Sequence, residues 1–142
     1  MITAKFYKKI PKKIINQCPE LMIDHTSDGV RESGEETNWF AFFNEKDECV
    51  GCVNMEWSSY EYKNGMPSWT IYVYLFETCK KFKHKGYARQ MVEWLENLPC
   101  VDIIELTHVD AGIDYGTSRD FWKHMGWKYT DKNTNSMRKV LR

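Results

Sequence analysis

Thr70-Ile-Tyr-Val-Tyr-Leu-Phe76, Lys80-Lys-Phe-Lys-His-Lys-Gly-Tyr-Ala88 and the run that follows to Leu98 organise the rest of the chain. The first segment is β-branched and aromatic and is apolar on both faces, which predicts a central, covered strand. Beyond it, Ala88, Met91, Val92, Leu95 and Leu98 recur at three- and four-residue steps and form one apolar stripe, while Arg89, Gln90, Glu93 and Glu96 fall outside it. That spacing predicts a helix, and Pro99 ends it. A strand that feeds a turn and then a helix aims the first N–H groups of the helix at one point in space, and such a point attracts anions. Gly86 gives the turn its backbone freedom, and Ala88 is small enough for a ligand to come close to the helix end. Lys80, Lys81, Lys83 and Lys85 add four positive charges, which suits a ligand with more than one phosphate. A solvated basic turn with an ordinary helix cap fits the same residues. Neither GxxxxGK[ST] nor GxGxxG occurs, so a nucleoside-triphosphate P-loop and a dinucleotide fingerprint are not expected.

At 142 residues the chain is expected to form one domain, spanning 1–142, which buries about two-thirds of its unfolded surface. Lysine plus arginine and aspartate plus glutamate stand at 20 each, for a net charge of +0. A general nucleic-acid binder carries a strong positive excess, so no nucleic-acid partner is expected. No apolar run is long enough to cross a bilayer, and Met1-Ile-Thr-Ala-Lys5 lacks a signal-peptide pattern, so no membrane partner and a cytoplasmic location are expected. Five cysteines, an odd number, fit reduced thiols better than a disulfide framework. Cys49-Val-Gly-Cys52 is an isolated CxxC in a strand-like run, read as core thiols rather than a metal or redox site.

From the start of the chain, Thr3 to Tyr7 reads as a short strand, and Pro11 to Cys18 as a short helix with proline at its first position. Asp24 to Glu36 is an acidic, irregular loop. Asn38 to Phe43, Cys49 to Trp57 with Tyr60 to Tyr62, and the strand from Ser68 form an antiparallel meander, with Lys63-Asn64-Gly65 as a hairpin signal. Val101 to Val109 is a strand that returns after a helix, so it should lie parallel to Thr70–Phe76. Thr117 reads as an N-cap, with Asp120 near the start of its helix and Lys123 and His124 in the last turn before Gly126. Trp127 to Thr130 and Ser136 to Leu141 close the chain as a hairpin.

Lys83-His-Lys-Gly-Tyr-Ala88 resembles the [RQ]xxGx[GA] turn of the GNAT superfamily of N-acetyltransferases, with lysine at the first position. Ser118-Arg-Asp-Phe-Trp-Lys-His-Met-Gly-Trp127 resembles that family's AxxFYxxxGF segment, and Met137 to Leu141 its closing strand. These matches cover roughly the second half of the chain. The resemblance implies an α/β (α+β) fold: a mixed, mostly antiparallel sheet of six to seven strands with a central parallel β-α-β crossover and helices on both faces. It also implies that acetyl-CoA is the cofactor, held by Lys83, His84, Lys85, Gly86, Tyr87 and Ala88 at its diphosphate and by the backbone near Phe76 and Thr78 along its pantetheine arm, with Ser118 and Trp122 also at the cofactor. The acceptor would be a small-molecule or protein amine attacking directly, and the acidic loop would favour a cationic one. An oligomer is compatible with the same reading.

Acyl transfer to an amine needs a held thioester, a neutral amine and a proton for the leaving thiolate. Trp122 stands where many relatives place tyrosine, and an indole is no acid, so Tyr115 is the candidate donor, against packing alone. Glu56, Glu77, Glu105 and His108 are candidate bases, with Glu77 and His108 put first. Tyr72 and Tyr74 share a strand face and either line the acceptor pocket or belong to the core. Cys79 lies beside the turn, but no His/Asp pattern activates it as a nucleophile. The alternative is an acyl-CoA-binding or protein-interaction module of the same fold without turnover.

Overall fold

The computed structural model describes residues 1–17, 38–107, 118–131 and 133–141. In chain order the elements are β1 (Thr3–Tyr7), α1 (Lys12–Gln17), β2 (Asn38–Phe43), β3 (Cys49–Lys63), β4 (Met66–Thr78), a 3₁₀ turn (Lys80–Phe82), α2 (Tyr87–Glu96), β5 (Val101–Thr107), α3 (Ser118–His124), β6 (Lys128–Asp131) and β7 (Ser136–Val140). The strands form one sheet in the order β1-β2-β3-β4-β5-β7-β6, so β4 is central, as its two-sided apolar character requires. β4 and β5 run parallel, from Trp69 opposite Val101 to Val73 opposite Leu106. The pairs β1–β2, β2–β3, β5–β7 and β6–β7 are antiparallel. This is the mixed sheet with a parallel crossover that the sequence implies. One expectation changes in detail: Cys49–Trp57 and Tyr60–Tyr62 are a single strand, because Ser58 and Ser59 carry no glycine, proline or asparagine signal to break it. The acidic loop, Thr117 and the last two residues of the fifth predicted strand lie outside the described residues.

The chain packs as two units, Met1–Glu56 with Tyr74–Asn97, and Trp57–Val73 with Leu98–Arg142. In the first unit, Phe40 and Phe42 are two residues apart on β2 and so share a face. Both meet Trp94 of α2, at ring-centroid distances of 4.8 and 5.2 Å. α2 buries Met91, Val92 and Leu95, each burial stabilising by about 1.5–3 kcal/mol. Gly51 makes room for this packing: a Cβ there would lie 2.5 Å from the carbonyl oxygen of Glu77 and 2.8 Å from Met91 Sδ.

A β-bulge shifts the β2–β3 register, with Phe42 opposite Gly51 and Phe43 opposite Cys49. In a regular strand, residues three apart face opposite sides; the inserted Val50 brings the buried thiols of Cys49 and Cys52 together. Cys49, Cys52 and Cys100 are free. Cys79 is not: it is disulfide-bonded, which corrects the expectation of reduced thiols throughout. Its amide donates to Val50 O at 2.8 Å, and its side chain is only 1% exposed, so the end of β4 draws this sulfur into the interior. An odd cysteine count leaves room for a bridge beside free thiols, and parity could not reveal it. A disulfide sulfur is also no nucleophile, which closes the covalent route through Cys79.

In the second unit, α3 ends in a Schellman motif. Trp127 N–H donates to Trp122 O at 2.9 Å, Gly126 N–H donates to Lys123 O at 3.1 Å, and Gly126 takes φ of 101°. The apolar contact that accompanies this motif is the edge-to-face meeting of Trp122 and Trp127, 4.9 Å between centroids. Lys139 Nζ donates to Met125 O at 2.7 Å, closing another helix-end carbonyl. Asp120 in the first turn and Lys123 and His124 in the last match the helix dipole. Ser68 donates to the buried carboxylate of Asp102.

Candidate functional site

β4 stops at Thr78, and the chain turns immediately. Phe82 N–H donates to Cys79 O at 2.9 Å and Lys83 N–H to Lys80 O at 3.3 Å, closing a short 3₁₀ turn that the sequence did not announce. His84 then takes φ of 64° and Gly86 φ of 84°, two left-handed residues on either side of Lys85. Glycine carries this conformation without cost; for His84 it costs roughly 1–2 kcal/mol. Phe82 holds the turn in place. Its ring is buried, Tyr87 packs edge-on against it at 5.7 Å, and the ammonium groups of Lys81 and Lys85 lie 5.0 and 5.9 Å from its centroid.

The result is a run of backbone donors at the turn and the start of α2. Among the described residues, no hydrogen bond uses the amides of His84, Lys85, Gly86, Tyr87 or Ala88, because α2 begins at Tyr87 and no side chain caps it. Among the described residues, a Cβ built on Gly86 would meet nothing within 4 Å. The donors fit a phosphate or diphosphate: several N–H groups, a helix dipole of the right sign, and lysines beside them. Not every lysine is equally available. Lys81 pairs with Glu48 at 3.7 Å, and Glu48 is held below its usual carboxylate range, first by the Asn44 side-chain amide and then by Lys81 and Lys46.

Phe76, Glu77, Thr78 and Lys83 to Ala88 all lie in the first unit. Phe76 and Thr78 are half-buried on β4, beyond Val73, where the register with β5 ends. Lys83, Tyr87 and Ala88 are half-buried, and His84, Lys85 and Gly86 are exposed. Glu77 is half-buried and lies near Cys52, whose thiol is pushed up first by a hydrogen bond with Cys49 and by burial, with Glu77 the smallest of the causes. Glu56 accepts a hydrogen bond of 2.5 Å from the Tyr74 hydroxyl, a pairing that sequence reasoning missed although it named both residues. Tyr72 and Thr107 share a hydrogen bond of 2.6 Å. In the second unit, Glu105 lies 3.8 Å from Arg138, and Trp122 is 5% exposed against Trp127. Ser118 is the first residue of α3; its side chain, and all of His108 and Tyr115, lie outside the described residues.

No family model matches the chain, and no curated protein matches it. Solved structures do match, over the whole chain. A candidate acetyltransferase of the GNAT family from Desulfovibrio desulfuricans is 9% identical with a TM-score of 0.64, covering 100% of both chains. The Bacillus subtilis N-acetyltransferase YlbP, in complex with coenzyme A, is 16% identical with a TM-score of 0.61, over 99% of this chain and 97% of that one. A variant of the toxin AtaT, bound to the C-terminus of the antitoxin AtaR and to acetyl-CoA, is 7% identical with a TM-score of 0.61, over 99% and 93%. At such identities the likeness is one of fold, and the fold of this chain is that of the GNAT acetyltransferases.

Proposed function

We propose that this chain is an acyl-CoA-dependent N-acyltransferase that moves acetyl from acetyl-CoA to a primary amine by direct attack. The observation that carries the proposal is the set of unengaged amides from His84 to Ala88, shaped by left-handed His84 and Gly86 at the start of α2. When bound, acetyl-CoA supplies an acyl group already activated as a thioester. The chain's own part is to grip and orient. The five amides donate to a diphosphate, Lys83 and Lys85 add positive charge, and the β4 backbone at Phe76 and Thr78 pairs with an extended arm as an added strand would. Lysine at position 83 gives up bidentate geometry but keeps the charge. Glu77 and His108 are the proposed bases that leave the amine neutral, Tyr115 the proposed proton donor to the thiolate, and Ser118 and Trp122 the proposed further cofactor contacts. The acceptor is a small molecule or a protein amine.

Incubation with acetyl-CoA and a panel of amines, with free thiol as the readout, tests the proposal. Amine-dependent thiol release is expected, and Glu77→Gln should lower kcat about 100-fold at unchanged coenzyme affinity. Tyr115→Phe with an unaltered rate would remove that residue's role. A second reading, a module that binds acyl-CoA without turning it over, is favoured by one observation: Trp122 is packed on Trp127 and offers no acidic proton where relatives carry tyrosine. Coenzyme binding without thiol release from any amine would favour it.

A further inference from the structure

The β6–β7 hairpin sets two cations against each other. Lys128 stands directly opposite Arg138 in the register, and residues opposite each other in an antiparallel pair share a face, so the two positive side chains are neighbours. Like charges so placed destabilise a sheet. On its other side Arg138 lies opposite Glu105 and reaches that carboxylate at 3.8 Å, whereas among the described residues no ion pair engages Lys128. Both cations line a cleft of about 410 Å³, together with Tyr129, Lys139 and Val140. Small-molecule sites run from about 300 to about 1,000 Å³, so the cleft has the size of one. Among the described residues no aspartate or glutamate lines it. Lys139 Nζ has a fixed place, donating to Met125 O at 2.7 Å and lying 5.2 Å from the Trp127 ring centroid. Lys123 Nζ lies 5.5 Å from the Tyr129 ring and adds to the positive field.

We propose that this cleft is a binding site for a small-molecule phosphate monoester with an apolar body. Three observations select that chemistry. Lys128, Arg138 and Lys139 against the single carboxylate of Glu105 leave an excess of positive charge in a chain whose net charge is +0, and a phosphate monoester carries about −1.5 to −2 at neutral pH. Arg138 offers a planar fork and Lys128 a point charge, so an oxyanion between them turns a like-charge pair into two charge-assisted contacts. Val140 is 60% exposed and two residues along the same strand face from Arg138, and with Tyr129 it gives the body of the ester an apolar wall. The cleft is distinct from the turn at Lys83 to Ala88 and shares no residue with it. Lys139 and Val140 lie opposite Ile104 and Ile103 near the start of β5, whereas the pairing of β4 with β5 ends at Val73 and Leu106.

Titration of the isotope-labelled full chain with phenyl phosphate, followed through its backbone amide NMR signals, tests this. Saturable shifts are expected at Lys128, Tyr129, Lys139 and Val140, with a Kd of about 1 mM or tighter, and Lys128→Glu should weaken binding at least about 10-fold. The same variant replaces a like-charge cross-strand pair by an opposite one, so its melting temperature should equal or exceed that of the wild type. Phenol, which keeps the ring and lacks the phosphate, should leave these signals in place. Three results overturn the proposal: shifts confined to His84–Ala88, equal affinity in a folded Lys128→Glu protein, or equal shifts with phenol. Absence of saturation at about 10 mM phenyl phosphate overturns it as well.

Discussion

At position 51 a single methyl group would meet the Glu77 carbonyl oxygen and Met91 Sδ at distances no real Cβ contact shows. Gly51→Ala should therefore lower the free energy of unfolding by about 2–4 kcal/mol, read from urea denaturation, and an unchanged midpoint would contradict the packing of α2 on β3. Cys52 gives a prediction in pH. A hydrogen bond with Cys49, then burial, pushes its thiol well above the ordinary 9.0, so the folded chain keeps a proton that the unfolded chain loses. This contribution is complete below pH 9.0 and is lost as pH rises past it, by about 1.4 kcal/mol per pH unit. Cys52→Ala should flatten the fall in stability between about pH 8 and about pH 10; a parallel fall in both proteins would refute the assignment. At this scale Gly86 was legible, because a left-handed turn favours glycine, whereas the Val50 bulge was not, since this bulge carried no residue signature. The Cys79 bridge was hidden for a related reason: pairing depends on which sulfurs meet in space.

Among the elements, the end of α3 is the most fully explained. Gly126 sits at φ of 101°, and a Cβ there would come within 3.2 Å of Lys139 Cε. Gly126→Ala should cost about 1–2 kcal/mol and lower the melting temperature by several degrees, whereas Lys139→Ala, which leaves the backbone alone, should cost less. Equal losses would mean that the lysine cap, not the left-handed residue, fixes the helix end. The periodicity of α2 and the charges of α3 could be read from the chain because both are local. The packing of Trp122 on Trp127 could not, since it follows from the 6→1 hydrogen bond of the Schellman motif and not from spacing alone. The 3₁₀ turn at Lys80–Phe82 likewise carried no glycine or proline to mark it, and the role of Phe82 as its anchor appeared only with its ring contacts.

For the whole molecule, the sequence contained the mixed sheet through one element, the strand–helix–strand crossover, which allows only a parallel pair. The insertion of β7 between β5 and β6 was less accessible, because strand order past a hairpin is a long-range outcome. Among the described residues no helix is long and apolar enough to cross a membrane. The central claim concerns five amides and the diphosphate they are proposed to hold. Calorimetric titration of coenzyme A into the wild type and Gly86→Glu tests it most directly: among the described residues a Cβ at position 86 meets nothing within 4 Å, and the φ of 84° adds roughly 1–2 kcal/mol of backbone strain, which the variant's own melting temperature reads separately from binding. Micromolar binding to the wild type and at least a 100-fold loss in a Gly86→Glu protein that remains folded is the expected result, about 2.7 kcal/mol. Equal binding by the two proteins, or none by the wild type, would contradict it.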